Sequence, residues 1–318
     1  MIKYLRSYKL LYKIFNVFNK TQLQHNLPHY KRFGLKKKYY SSVSREDFKH
    51  IESPLNKYDA KDTFVAMPKD PTFNALDEKR QAELLSWSKN GYVILKDFFS
   101  AQEIDGFNKE IEDLIRNKKV KFKNGDRIMF AIHHSETLKA CGENKKLLEV
   151  LNLLLGKQVE LFQSINFITG SQQRAHSDSI HMTTFPYGNI IAVWVALEDI
   201  GPDCGPLHYY PGSHKLPYVM NADYDNVGSK HKLGEKTYGD YENHIESLIQ
   251  KKKLKKEVFL AKKGDLLVWH ANLLHGGEKV VDKNSTRKSM VFHYYANDAI
   301  CFHEITQRPT LKKAGKTI

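Results

Sequence analysis

From Val159 onward the chain is a succession of short apolar runs rich in Val, Ile, Phe and Trp: VELFQSINFI, IIAVWVAL, PLHYYP, EVFLA, DLLVWH and SMVFHYYA. Turn-forming clusters separate them, namely YGN, GPDCGP, PGSH and KKGD. Apolar runs of strand length bounded by Gly, Pro, Asn and Asp predict β-strands. No helical pattern alternates with them, which excludes a parallel sheet built from βαβ units. The prediction is a mainly β fold with flanking helices, an antiparallel double sheet or barrel.

The helices belong to the preceding part. Leu76, Ala82, Leu84, Leu85 and Trp87 give helical periodicity over 75–89, stopped by Asn90–Gly91. YVILKDFF follows as a short strand. Ser100 and Glu103 form a capping box ahead of a helix that carries Ile104, Phe107, Ile111 and Leu114 on one face. A further helix spans about 143–155 and ends at Gly156. Residues 46–72, broken by Pro54, Pro68 and Pro71, are expected to be a linker or an arm laid over the domain. The domain itself is expected over 73–310, with an insertion at about 218–256 over the barrel mouth. The lysine run KKKLKK in that insertion reads as a solvated face.

The formal charge of +14 raises the question of nucleic acid, and its location answers it. Residues 1–45 hold eleven Lys and Arg, and the first acidic residue is Glu46. The remainder carries 39 basic and 36 acidic side chains, a net of +3, so the body has no basic footprint and no nucleic-acid partner is expected. Drawn as a helix, Tyr4, Leu5, Tyr8, Leu11, Tyr12, Phe15 and Phe18 share one side of the N-terminus. Lys3, Arg6, Lys9, Lys13 and Lys20 share the other, with Ile2, Leu10 and Val17 interrupting the division. Amphipathic, basic and free of acid, residues 1–45 read as a mitochondrial targeting segment, cleaved around Arg32–Ser44 and dispensable for folding. The expected location is the mitochondrial matrix, with the cytosol as the alternative; the competing reading of the segment is a disordered basic arm. No transmembrane segment is expected, because the longest uncharged run, Ser179–Leu197, contains Pro186, Gly188 and Asn189. Cys141, Cys204 and Cys301 are odd in number and form no CxxC pair, which fits a reducing compartment.

The stretch QRAHSDSIHM concentrates ligand chemistry. On an extended strand, residues i and i+2 share a face roughly 6.5–7 Å apart, so His176 and Asp178 can converge on one metal ion. His181 has an odd offset from both and is expected to face away. A third ligand is offered downstream in VWHANLLHGGEKV by His270 or His275. Two histidines and one carboxylate occupy one face of an octahedral Fe(II) and leave three positions open, whereas catalytic zinc prefers a tetrahedron. Arg287 stands 12 positions after His275, and Ser289 shares its face by the two-residue period. A guanidinium beside a hydroxyl can bind a carboxylate through charge-assisted bonds.

Taken together and in order, the HxD motif at His176–Asp178, VWVALEDI, GPLHYYPGSHK, KKGDLLVWHANLLHGG and TRKSMVFHYY resemble the phytanoyl-CoA dioxygenase family. The likeness runs from about Leu76 to Asn297 and includes NGYVILKDFFSAQEI. It implies a double-stranded β-helix (jelly-roll or cupin-like) barrel and an Fe(II)- and 2-oxoglutarate-dependent dioxygenase acting on a small-molecule substrate. Oxidation would be coupled to 2-oxoglutarate decarboxylation with dioxygen as oxidant, giving succinate and CO2. Carried over, His176, Asp178 and His275 match the metal ligands, and Arg287 matches the partner of the distal carboxylate of 2-oxoglutarate. Trp194 and Gln163 match residues near the cosubstrate. Members often carry a small hydroxyl residue two after the distal histidine, where this chain has Gly277; Ser289 is the candidate substitute. His270 is expected in strand packing and His214 in its own turn. A carboxylate at position 178 implies hydroxylation rather than halogenation, which needs that position vacant. The alternative is a catalytically silent metal-binding β-barrel used as a binding module.

Overall fold

The computed structural model describes residues 7–123 and 125–312. Among these, four helices of ten residues or more occur: α1 (Lys9–Phe18), α2 (Ala101–Arg116), α3 (Lys145–Leu155) and α4 (Tyr238–Lys252). The strands among them are β1 (Tyr92–Leu95), β2 (Phe122–Lys123), β3 (Arg127–Met129), β4 (Val159–Phe167), β5 (Thr183–Phe185), β6 (Ile190–Ala196) and β7 (Leu207–Tyr209). They continue with β8 (Glu257–Phe259), β9 (Leu266–His270), β10 (His275–Gly277), β11 (Ser289–Ala296), β12 (Ile300–His303) and β13 (Arg308–Pro309).

A seven-stranded antiparallel sheet runs β1-β9-β6-β11-β4-β3-β2, and a three-stranded sheet β10-β7-β8 faces it. Between them Ala192, Trp194, Leu207, Tyr209, Leu267 and Trp269 form the inner core. The opposite face of the large sheet, through Val193, Val195, Val268, Met290 and Phe292, packs on Ile104, Phe107, Leu147 and Leu151 of α2 and α3. Because both faces are covered, every residue of β6 is buried, and the strand reads as a continuous apolar run rather than an alternation. The third sheet, β13-β12-β5, closes the end beside the N-terminal segment.

The predicted boundaries hold at their capping residues. Ser100 and Glu103 make the reciprocal box at the start of α2. Gly91 and Gly156 end their helices with φ of 76° and 69°, the left-handed region where a Cβ is strained. The helix expected over 75–89 is broken into Glu78–Leu84 and Trp87–Asn90. Residues 46–72 are an arm laid over the domain, with Phe48, Tyr58 and Met67 buried.

Within the segment read as a targeting sequence, Lys3, Tyr4, Leu5 and Arg6 lie outside the described residues. Residues 7–45 are packed on the body. Tyr30 and Val43 join Phe48, Phe185, Ile300 and Phe302 in one buried cluster, and Leu23 is fully buried. Ser7 O accepts from Leu233 N at 2.8 Å, and Lys9 N donates to His231 O at 2.9 Å. The stretch expected to be dispensable for folding therefore contributes to a buried cluster, which its removal would expose.

The insertion carries α4, whose Tyr241, Ile245 and Ile249 are buried against Ala175, Ile180 and Leu274. Its lysine-rich end is exposed, as expected of a solvated face.

Candidate metal centre

β9 places Trp269 on the inner face of the sheet and His270 on the outer face. The chain then reverses and enters β10 at His275. His176 forms an isolated antiparallel bridge with His275, with backbone bonds of 2.9 Å in both directions. After Ser177, whose N–H donates to Tyr241 Oη at 3.1 Å, the chain tightens into a 3-10 turn that begins at Asp178. The two ligand positions of the HxD motif thus come from a bridge and a turn, not from one regular strand. The parity argument that turned His181 away fails with it. His181 lines the same cavity, with its ring 6.4 Å from that of His176, but stands outside the cluster of potential ligands.

One ligand atom from each of His176, Asp178 and His275 lies within 4.8 Å of the other two. His275 Nε2 is 3.7 Å and His176 Nε2 4.0 Å from Asp178 Oδ1. Both rings are oriented by the backbone: His176 Nδ1 is 2.9 Å from Arg174 O and His275 Nδ1 is 3.0 Å from Leu273 O. Donation from Nδ1–H to those carbonyls leaves each Nε2 lone pair directed at the shared space, the tautomer a metal requires. Burial, with His275 beside it, pushes His176 down to about 3, so its imidazole is neutral at neutral pH. Burial alone would raise the Asp178 carboxyl; His275, His293 and His176 overcome it and hold the group well below its ordinary value.

The second oxygen of Asp178 is engaged elsewhere. Trp269 Nε1 donates to Asp178 Oδ2 at 2.8 Å, and His293 Nε2 lies 3.7 Å from the same atom. Neither Trp269 nor His293 was among the residues selected from the sequence. His293 could have been found, because Arg287, Ser289 and His293 share parity along β11. Trp269 gave no such signal: it reaches Asp178 only through the packing of two separate segments.

Arg287 is 1 % exposed. Its Nη1 donates to Ser289 Oγ at 2.8 Å, while its Nε has no partner. The guanidinium stacks near Phe167 and Trp194, at 5.3 and 5.7 Å from the ring centroids. Among the described residues no carboxylate forms an ion pair with it. Burial lowers its pKa to about 10, so it stays charged at neutral pH. A buried, charged guanidinium with an open Nε is costly unless an anion joins it. Trp194 Nε1 is also buried without an acceptor. Gln163 on β4 pairs with His293 across the sheet and lines the same cavity. A Cβ at Gly277 would lie 2.5 Å from Ser171 Oγ, so a hydroxyl from a separate loop lies beside that position.

Triad, Arg287, Trp194, Gln163 and His293 share one cavity of about 2260 Å³. His270 and His214 lie outside it. His270 Nε2 is 3.6 Å from Asp59 Oδ2 within the packed outer face, and His214, expected to serve its own turn, instead has its ring 5.5 Å from that of His270.

Known proteins share this arrangement of sheets. The chain is similar to the ectoine dioxygenase of Sphingopyxis alaskensis, 28 % identical over 210 residues, covering 60 % of this chain and 68 % of that protein. It is also similar to phytanoyl-CoA dioxygenase domain-containing protein 1 of Bos taurus, 20 % identical over 270 residues, 67 % of this chain and 88 % of that one. Among solved structures, the non-heme alpha ketoglutarate dependent carbocyclase SnoK from nogalamycin biosynthesis superposes with a TM-score of 0.61 at 15 % identity, covering 77 % of this chain and 96 % of SnoK. EctD from S. alaskensis with 2-oxoglutarate and 5-hydroxyectoine gives 0.60 at 18 % identity, covering 87 % and 95 %. These superpositions establish the jelly-roll fold. Residues 87–288, well over half of the chain, match the family described as Phytanoyl-CoA dioxygenase (PhyH), and the chain belongs to that family.

Proposed function

We propose that this chain is an Fe(II)- and 2-oxoglutarate-dependent oxygenase that hydroxylates a small molecule and releases succinate and CO2. As a member of a dioxygenase family it is an oxidoreductase; the finer reading rests on the site. The observation that carries it is Arg287, a buried cation without a counter-ion, in the same cavity as two imidazoles and a carboxylate set for one metal ion.

The donor set fits iron. His176 Nε2, His275 Nε2 and Asp178 Oδ1 would hold it, two nitrogens and one oxygen suited to a facial set with open positions. Bound there, iron would supply dioxygen activation coupled to decarboxylation of the 2-oxo acid. The chain's own groups bind and orient. The Nδ1–H donors of the two histidines fix their tautomers, and Trp269 holds Asp178 Oδ2 away from the metal side. Arg287 and Ser289 would take the distal carboxylate of 2-oxoglutarate, and Phe167 and Trp194 shield that charge pair from water. A carboxylate at position 178 supports hydroxylation over halogenation. The test is 2-oxoglutarate binding to the Mn(II)-loaded protein by calorimetry, followed by a metabolite screen for Fe(II)-dependent succinate above the uncoupled background. Absence of 2-oxoglutarate binding would remove this reading and favour a silent binding module.

A further inference from the structure

α1 is turned the wrong way round for a surface helix in water. Its side facing the body carries Lys9, Tyr12 and Asn16, spaced three and four apart, and Asn16 is fully buried. The opposite side presents Leu10, Leu11, Ile14, Phe15, Val17 and Phe18, from 40 % exposed at Phe15 to 85 % at Phe18. The polar stripe meets the protein and the apolar stripe meets the outside. A contiguous apolar face of this kind marks a contact with something else.

Charge and position say what covers it. Residues 7–45 carry nine Lys and Arg and no Asp or Glu. Lys13, Lys31 and Lys36 are exposed and form no ion pair among the described residues. A second copy of this chain would bring two such segments together, like charge against like. An anionic lipid surface offers the complementary chemistry: acyl chains for the apolar stripe and phosphates for the lysines. The helix also reaches the site: Phe15, with Thr21 and Gln22 after it, lines the same cavity as the metal ligands, together with Lys123 and the exposed Phe130.

We propose that α1 docks this protein on an anionic membrane, with the cavity mouth turned to the lipid, and that the substrate is an amphiphile drawn from that surface. The second clause rests on the oxygenase reading; the first does not. Segment 7–45 is then a retained part of the fold, held by Leu23, Tyr30 and Val43, rather than a leader to be removed.

The experiment is flotation of the full chain with vesicles of phosphatidylglycerol and phosphatidylcholine in equal parts, and with phosphatidylcholine alone. Binding is expected to the anionic vesicles, to weaken with added salt, and to fall at least tenfold in Leu10→Glu/Phe18→Glu. Phe18→Ser, at the most exposed position, serves as a milder variant should the double change disturb folding. Lys13→Glu/Lys31→Glu should weaken binding while leaving the apolar stripe intact. The proposal is overturned by absence of binding, by binding that these variants leave unchanged, or by self-association that Phe18→Ser abolishes. A native protein that begins after Arg32 would overturn it as well and favour import. None of these outcomes touches 2-oxoglutarate binding, so the two readings fail separately.

Discussion

Strand β9 and the turn after it serve two buried groups of two histidines and one aspartate. On the inner face stand His176, Asp178 and His275; on the outer face stand His214, His270 and Asp59. Composition is the same and five of the six side chains are buried, Asp59 being partly exposed, yet the chemistry differs because different atoms are tied. In the inner group the backbone takes both Nδ1 atoms, so both Nε2 atoms and one carboxylate oxygen converge on a cavity. In the outer group His270 Nδ1 accepts from Asn272 N at 3.1 Å, and its Nε2 faces Asp59, itself 3.3 Å from Asn56 Nδ2. None of these atoms faces the cavity: His270 Nε2 is directed at Asp59, and His214 Nδ1 is buried without a hydrogen-bond partner among the described residues. Open donors facing a cavity, rather than the presence of His and Asp, separate a ligand site from a structural network.

The largest test of this contrast removes one carboxylate from each group. Asp178→Ala or His275→Ala should drop Fe(II)-dependent turnover to background and abolish tight metal binding while the protein stays folded. Asp59→Ala should leave metal binding intact and cost about 1–3 kcal/mol of stability, because His270 loses its partner in a buried site. Metal titration and thermal melts on both variants check this. An Asp59→Ala protein that has lost metal while keeping its fold would erase the distinction.

Much of the inner group was legible because its pieces are local. The HxD spacing, His275 after an apolar strand, and the shared parity of Arg287 and Ser289 each lie within a few residues. Parity also separates Trp269 from His270 on β9. What the sequence withheld is contact between distant segments: Trp269 on Asp178, Ser171 in the space beside Gly277, and Tyr241 bracing the backbone of Ser177. The N-terminus shows the same limit. Periodicity announced an amphipathic helix, but the apolar stripe combines Leu10 and Val17 with Leu11, Phe15 and Phe18, and Tyr12 turns the other way. Which stripe faces the body depends on neighbours more than 200 residues away at His231 and Leu233.

Next in size is the loss of the anion partner. If the inner face is built for a ligand, Arg287→Ala should raise the apparent KM for 2-oxoglutarate far more than it weakens metal binding. A broken buried charge pair costs about 3–5 kcal/mol, which is on the order of a hundredfold or more. Arg287→Lys keeps the charge but not the planar fork and should lose less. With a shorter 2-oxo acid that lacks the distal carboxylate, wild type and variants should converge. Unchanged 2-oxoglutarate affinity in Arg287→Ala would place the anchor elsewhere.

Trp269 sharpens the comparison, since it sits one residue from His270 yet belongs to the inner group. Trp269→Phe keeps the ring in the core and removes the N–H that holds Asp178 Oδ2. Loss of such a partner typically weakens metal binding about 10–100-fold. His270→Gln, on the other face of the strand, should leave that affinity alone. Competitive metal titration against a chelator measures both, and equal losses would mean that β9 acts through general packing.

The smallest effect concerns pH and the outer group. Burial, with His270 and Lys215 adding to it against the opposing charge of Asp59, pushes His214 down to about 3, far below an ordinary imidazole. At neutral pH His214 is uncharged in the folded chain and mostly uncharged in the unfolded chain, so it contributes little pH dependence there. As the pH falls below about 6.5, the unfolded chain takes up a proton that the folded chain refuses. Stability is therefore lost progressively from there down to about 3, and amounts to about 2 kcal/mol for this one group at pH 5. His214→Gln cannot titrate and should be less sensitive over the same interval, although it starts somewhat less stable because the side chain packs against Gly91. Denaturant unfolding at pH 7 and pH 5 gives the difference directly. The expected outcome is a smaller loss in the variant than in wild type; an equal loss would assign the acid sensitivity to the other buried histidines, His25, His208 and His303 among them, all of which burial also lowers.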